Sequence, residues 1–265
     1  MKLNIVPART GLLWVKLGMQ AFFKQPIALG GLFFMMMAAI SLIAALPLVG
    51  SLLGLALMPM GTLGLLLATQ QAHSGTFPKP AVLVAGFRGD RQRMRALLAL
   101  GLLYAVGILL IMGATWLVDD GKFARMYLVD GPLSKDLMQD PSLQTAARLA
   151  FALYIPLSLL FWHAPALVHW YGLSVAKALF FSLIACVRNL WAYALFALVW
   201  STLFAVASMV LLVVFTALGL GGAGLSIIIA LAMLTATMFF SSIYFTFRDS
   251  FVHELPPIAS SAPMP

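Results

Sequence analysis

Polarity along this chain alternates on a long wavelength, with apolar stretches of about twenty residues separated by short clusters of charge. Six stretches are long enough to matter: about 27–46, 49–69, 96–118, 146–168, 191–213 and 225–247. A helix needs about 20 apolar residues to cross the roughly 30 Å hydrocarbon layer, so each is predicted to span a membrane. Helices are required because hydrocarbon offers no partner to free backbone groups, and strands apolar on both faces do not suit a barrel. Pro47, which cannot continue a helical ladder, joins the first pair. The glycine-rich "GLGLGGAG" joins the last.

Composition supports the bilayer. Hydrophobic residues make up 63% of the chain and charged residues 9%, against about 45–50% and about 25% in soluble domains. The single cysteine, Cys186, excludes an internal disulfide framework and every multi-cysteine zinc motif. The first apolar run is too long for a signal-peptide core, and no small-residue cleavage site follows it, so no cleavage is expected.

A net charge of +8 invites a nucleic-acid reading until the charges are placed. Twelve Lys and Arg fall in the N-terminal segment, the 70–95 and 169–189 loops and the C-terminal tail. Four, Lys122, Arg125, Lys135 and Arg148, fall on the other side, diluted by Asp119, Asp120, Asp130, Asp136 and Asp140. The positive-inside rule then predicts a multi-pass protein with both termini in the cytoplasm. Arg88, Arg91, Arg93 and Arg95 crowd the start of the third span as part of that fence. On this topology the cluster is no nucleic-acid patch, and the Arg88-Gly89-Asp90 triplet faces away from any adhesion partner.

Each cytoplasmic approach to an odd-numbered span has a similar build. "TGLLWVKLGMQAFFKQ" (10–25), "PAVLVAGFRGDRQRMR" (80–95) and "SVAKALFFSLIACVRN" (174–189) are semi-apolar and too short to cross. They carry Lys24, Arg95 and Arg188 beside the membrane, as helices lying in the interface do. The predicted fold is therefore an all-α polytopic protein with six transmembrane helices and three cytoplasmic-side interfacial helices. It forms one membrane domain, 1–251, of three pseudo-repeats (about 10–69, 80–168 and 174–247), followed by a disordered cytoplasmic tail, 252–265.

Motifs inside this frame are sparse. Gly219, Gly221 and Gly224 satisfy G-x-G-x-x-G, but between two spans and without the strand and acidic residue of a dinucleotide site, so they read as a turn. Gly50 with Gly54, and Ala232 with Ala236, are small-residue pairs suited to close helix packing within the chain, or to a homodimer. All eight acids lie in loops or tails, which disfavours a proton- or cation-coupled pump. No nucleophile-elbow, zinc-protease or P-loop pattern occurs. His163 and His169 bracket "HAPALVH" at the cytoplasmic end of span four, too few for a metal site. Pro165 between them should kink or loosen the helix and free backbone groups. A candidate pocket follows there, from His163, Trp162 and Tyr171 with Ser241, Ser242 and Tyr244 of span six. In the competing view His163 only satisfies a carbonyl that Pro165 frees.

On "VPARTGLLWVKLGMQAFFKQP", "LLFWHAPALVHWYGLS", "FFSLIACVRNLWAYALFAL" and "FFSSIYFTFRDSF", residues 3–252 resemble an uncharacterised family of six-span inner-membrane proteins of proteobacteria. More distantly the chain is similar to YciC-type proteins and to the membrane domain of some glycerophosphoryl diester phosphodiesterases. The resemblance implies a bacterial inner membrane and six helices, and it supplies no catalytic residue. The leading functional expectation is a non-enzymatic protein, without cofactor or metal, that binds or organises lipid or supports an envelope complex. Anionic headgroups are the expected partners of Lys24, Arg88, Arg91, Arg93, Arg95 and Arg188, at about 1 kcal/mol per cation; nucleic acid is not a partner, whereas a membrane protein or a second copy is. A facilitative carrier of an amphiphile, and a membrane enzyme built on His163, are the alternatives.

Overall fold

The computed structural model describes residues 2–47, 49–88, 90–129, 139–217, 219 and 221–252. Gly89, Asp130, Lys135, Asp136 and the tail from residue 253 onward lie outside the described residues, so the expectations placed on them are left where they stand. The described helices are α1 (Thr10–Lys24), α2 (Pro26–Ala44), α3 (Gly50–His73), a 3-10 helix (Pro80–Phe87), α4 (Arg91–Asp119), α5 (Lys122–Val129), α6 (Pro141–Phe161), α7 (Ala164–Tyr171), α8 (Val175–Arg188), α9 (Leu190–Ala217) and α10 (Gly221–Ser250). Two short strands, β1 (Lys2–Leu3) and β2 (Phe251–Val252), pair antiparallel.

Six helical segments are long and apolar enough to cross a membrane: α2, α3, α4, the α6–α7 pair, α9, and α10 from Ile229 onward. They coincide with the six apolar runs. Alternating direction brings the ends near residues 26, 73, 91, 171, 190 and 250 to one end of the bundle, which also holds the paired strands. Hydrogen bonds tie that end together. Lys24 Nζ donates to the His73 carbonyl at 3.1 Å, Asn189 Nδ2 to the Asn4 carbonyl at 3.0 Å, and the Val6 N–H to Asn189 Oδ1 at 2.8 Å.

Two of the three short approaches differ from expectation. The apolar stripe of α1 does not face lipid: Gly11, Trp14, Val15, Gly18, Ala21 and Phe22 are buried, chiefly against α9 and α10. A Cβ on Gly18 would sit 2.4 Å from Ser242 Cβ, so only glycine permits this approach. A period of 3.6 residues marks a face that must be covered, and here protein covers it. The second approach divides in two. Residues 80–87 wind as the 3-10 helix against α3, while Arg91, Arg93 and Arg95 already belong to the first turns of α4.

The small-residue pairs find partners within the chain where they are described. Gly54 faces Ala44, 3.2 Å from where its Cβ would be, so the α2–α3 hairpin occupies that seam. Gly219 adopts φ +65°, as a turn requires, whereas α10 begins at Gly221. The G-x-G-x-x-G run is therefore a turn leading into a helix. At the opposite end of the bundle, Asp119 accepts from the N–H groups of Gly121 (3.0 Å) and Phe123 (2.6 Å), capping α5.

Candidate functional site

The clearest built site lies at the end of the bundle that carries the strands, where α3 gives way to the 3-10 helix. α3 stops at His73, and Gly75 takes φ +84°, the left-handed conformation that closes many helix C-termini. The chain then doubles back. Pro80 opens the 3-10 helix, and Gly64 on α3 lets Leu83 approach to 2.8 Å from where a Cβ would be. Between the returning segment and the end of α7 is a cavity of about 500 Å³. Lys79, Arg88, His169, Gln71 and Thr76 supply its polar lining, and Leu67, Phe77 and Val82 much of its apolar wall. Among the described residues, no carboxylate lines it. Two cations over an apolar floor can hold an anionic group whose other end is hydrocarbon.

The six cations expected at headgroups fall into three kinds of place. Arg88 lines the cavity. Arg91, Arg95 and Arg188 are exposed. Lys24 and Arg93 instead bond the protein: Lys24 to the His73 carbonyl and Arg93 Nη1 to the His169 carbonyl at 3.2 Å. Each of the latter puts a positive charge at the C-terminus of a helix, α3 for Lys24 and the short α7 for Arg93, where unpaired carbonyls and the helix dipole favour it. Lys79 and His169, which complete the cavity, were not among the expected headgroup residues. A loop lysine carries no sign in the sequence that the chain will fold back beside Arg88.

The six residues expected to form a pocket gather around the C-terminal half of α10 but do not share one cavity. His163 is fully buried, with ring contacts to Tyr193, Phe247 and Phe251. Its Nε2 is 2.5 Å from the Tyr193 hydroxyl, which lies 3.3 Å from Ser250 Oγ. Its Nδ1 has no hydrogen-bond partner among the described residues. Trp162 donates to Thr246 Oγ1 at 3.1 Å. Ser241 bonds the Thr237 carbonyl, and Ser242 accepts from Trp200 Nε1 at 3.1 Å. Tyr244 meets Phe245 edge to face and lies tilted against Trp170, as Tyr171 does against Phe247. Asp249, the carboxylate an enzyme reading would pair with His163, instead accepts from Trp14 Nε1 at 3.0 Å and from Arg248 at 2.7 Å.

The helix break itself is where Pro165 places it, between Phe161 and Ala164. A hydroxyl from α8 repairs it. Ser182 Oγ accepts from the His163 N–H at 2.9 Å and donates to the Leu159 carbonyl at 2.8 Å, standing between two groups that a continuous helix would pair directly. The His163 ring meets the Tyr193 hydroxyl and no carbonyl among the described residues, so it does not play the part the competing view gave it; Ser182 bridges the gap from residue 159 to residue 163. Ser182 was not singled out in the sequence, where one serine in an apolar helix looks unremarked.

No family model matches the chain, and no solved structure matches it. It is similar to a probable inner membrane protein of Burkholderia thailandensis, at 32% identity over 259 residues, covering 97% of this chain and 96% of the relative.

Proposed function

Because the chain belongs to the family of that inner-membrane protein, and is itself a multi-pass inner-membrane protein, we propose that it binds anionic lipid headgroups and works without chemistry of its own. The observation that carries this reading is the cavity in which Lys79 and Arg88 meet Leu67, Phe77 and Val82. A phosphate-bearing headgroup would sit between the two cations, with Gln71 and Thr76 offering further hydrogen bonds and the acyl chains leaving along the apolar wall. The fainter likenesses to YciC-type proteins and to the phosphodiesterase-linked membrane domain bring no catalytic residue to this proposal.

The orientation belongs to the same reading. The twelve-to-four asymmetry of Lys and Arg places the cation-lined end in the cytoplasm, with both termini. α1, the 3-10 helix and α8 each precede a pair of spans at that end, which supports three repeats of a short helix and a hairpin. α1 would then lie at the interface with its buried stripe on protein and exposed Leu12, Leu13 and Phe23 in lipid.

Native mass spectrometry tests the headgroup site with phosphatidylglycerol as the probe. Lys79→Gln/Arg88→Gln should lower its retention roughly tenfold or more, at about 1 kcal/mol for each cation. Arg91→Gln/Arg95→Gln should lower it less, since those side chains lie outside the cavity. Equal retention by wild type and the Lys79/Arg88 variant would end the proposal.

A further inference from the structure

A second cavity, of about 370 Å³, opens between α3, α4, α6 and α10. Tyr104, on its wall, lies about 20 Å along α4 at 1.5 Å per residue, near the middle of that span. Tyr154, on the opposite wall, is 42% exposed, so the cavity reaches the outer surface of the bundle at mid-depth. Among the described residues, no charged side chain lines it. Its volume lies at the small end of the roughly 300–1,000 Å³ typical of small-molecule sites.

We propose that this cavity binds an uncharged lipid whose head is a flat ring bearing carbonyl or hydroxyl oxygens, as in a quinone-type lipid. The walls are largely aromatic: Tyr104, Tyr154, Phe161, Trp162, Phe239 and Phe240. Several of these rings meet edge to face, Tyr104 with Phe161 at 5.2 Å and 71°, and Trp162 with Phe239 at 6.2 Å and 86°. Rings so arranged favour a flat guest over a flexible chain. The polar groups set the chemistry. Tyr104 and Tyr154 each bring to the wall a hydroxyl that can donate as well as accept. Thr62 and Ser158 give their protons to the carbonyls of Met58 and Ile155, so their oxygens face a guest as acceptors. A plain acyl chain would leave these oxygens against hydrocarbon, at a cost. An anion would find no cation here. A neutral ring with its own oxygens meets these groups without a charge: a ring carbonyl accepts from a tyrosine hydroxyl, a ring hydroxyl donates to the Thr62 or Ser158 oxygen, and the tail passes Tyr154 into the bilayer.

Decylubiquinone, an uncharged benzoquinone with a ten-carbon tail, quenches tryptophan fluorescence and serves as the probe. Trp162, one of six tryptophans, lines the cavity. Titration of the purified protein in detergent should give a saturable quenching component above the linear background from partitioning. Trp162→Phe should remove that component, and Ser158→Phe, which fills the cavity, should abolish it. Tyr104→Phe keeps the ring and the fold and should raise the half-saturating concentration at least threefold. Lys79→Gln/Arg88→Gln should leave the titration unchanged, so this site stands or falls apart from the headgroup site. Purely linear quenching, an unchanged curve in Trp162→Phe, or an unchanged midpoint in Tyr104→Phe would overturn the proposal.

Discussion

α1 and α9 lie against each other, yet they live in opposite surroundings. α1 has 15 residues and a lysine at each of two turns, and six of its side chains or glycines are sealed against neighbours. α9 has 28 residues and is far more apolar, but its buried residues, Ala192, Tyr193, Phe196 and Trp200, all fall in its first eleven. From Ser201 to Ala217 no residue is buried. The difference shows what hydrophobicity means in lipid. Apolar side chains are as comfortable in the bilayer as in the core, so they do not say where the core is. Close-approach glycines, hydrogen-bonding aromatics and buried hydroxyls do.

The contrast breaks most sharply at Gly18. Gly18→Leu must push into Ser242, whose Cα and N lie within 2.8 Å of a would-be Cβ. It should destabilise the protein by at least about 3 kcal/mol, read as a lowered thermal midpoint in detergent. On the outer half of α9, Val213→Leu should move that midpoint no further than an ordinary surface change, about 0.5 kcal/mol. A large loss at Val213 would mean that α9 has a protein partner along its bare half.

Hydroxyls give the next comparison. Ser182→Ala strands the His163 N–H and the Leu159 carbonyl at the helix break, a loss of about 2 kcal/mol. Thr216→Ala, on α9, removes only an exposed bond to the Leu212 carbonyl and should be near neutral. Equal effects would show that the break needs no bridge. Trp14→Phe sharpens the same point on α1: it keeps the ring but loses the N–H to Asp249, at about 1–2 kcal/mol. The loss should shrink in an Asp249→Asn background.

The smallest effect is expected at the far end of the bundle. The Lys122 ammonium 2.5 Å from Asp140, together with bonds from Ser142, holds the Asp140 carboxyl well below the usual carboxylate range. With its folded value depressed, this pair favours folding above the unfolded aspartate value of about 3.9. That contribution fades as pH falls from there toward the folded value. Both groups are open to solvent, so Asp140→Asn should only slightly flatten the acid side of a stability–pH curve. An unchanged curve would make the pair decorative.

The long apolar runs made all six spans legible, because length and the absence of charge leave a helix few other homes. Pro165 gave away the helix break for the same local reason, a missing N–H. What stayed hidden depends on distant partners. The stripe of α1 has a period that fits lipid or protein equally, and only Gly18 against Ser242 decides it. Lys79 joins Arg88 through a reversal that no spacing announces. Ser182 acts on a gap 19 to 23 residues earlier in the chain. Arg93 and Lys24 look like free cations until the carbonyls of His169 and His73 are placed beside them.

The pairing of Lys2 and Leu3 with Val252 and Phe251, and of Asn4 with Asp249 and Ser250, has a consequence in time. Residues 2–4 precede every span in the chain, yet they find these partners only after α10 has been made. Until then α1 has one wall of its groove, from α9, and lacks the wall that Ser242 supplies. Every earlier stage of insertion therefore carries an undocked amphipathic segment at its front. Docking of that segment requires α10 to be in place, so a chain halted before α10 leaves α1 without the wall on which Gly18 rests.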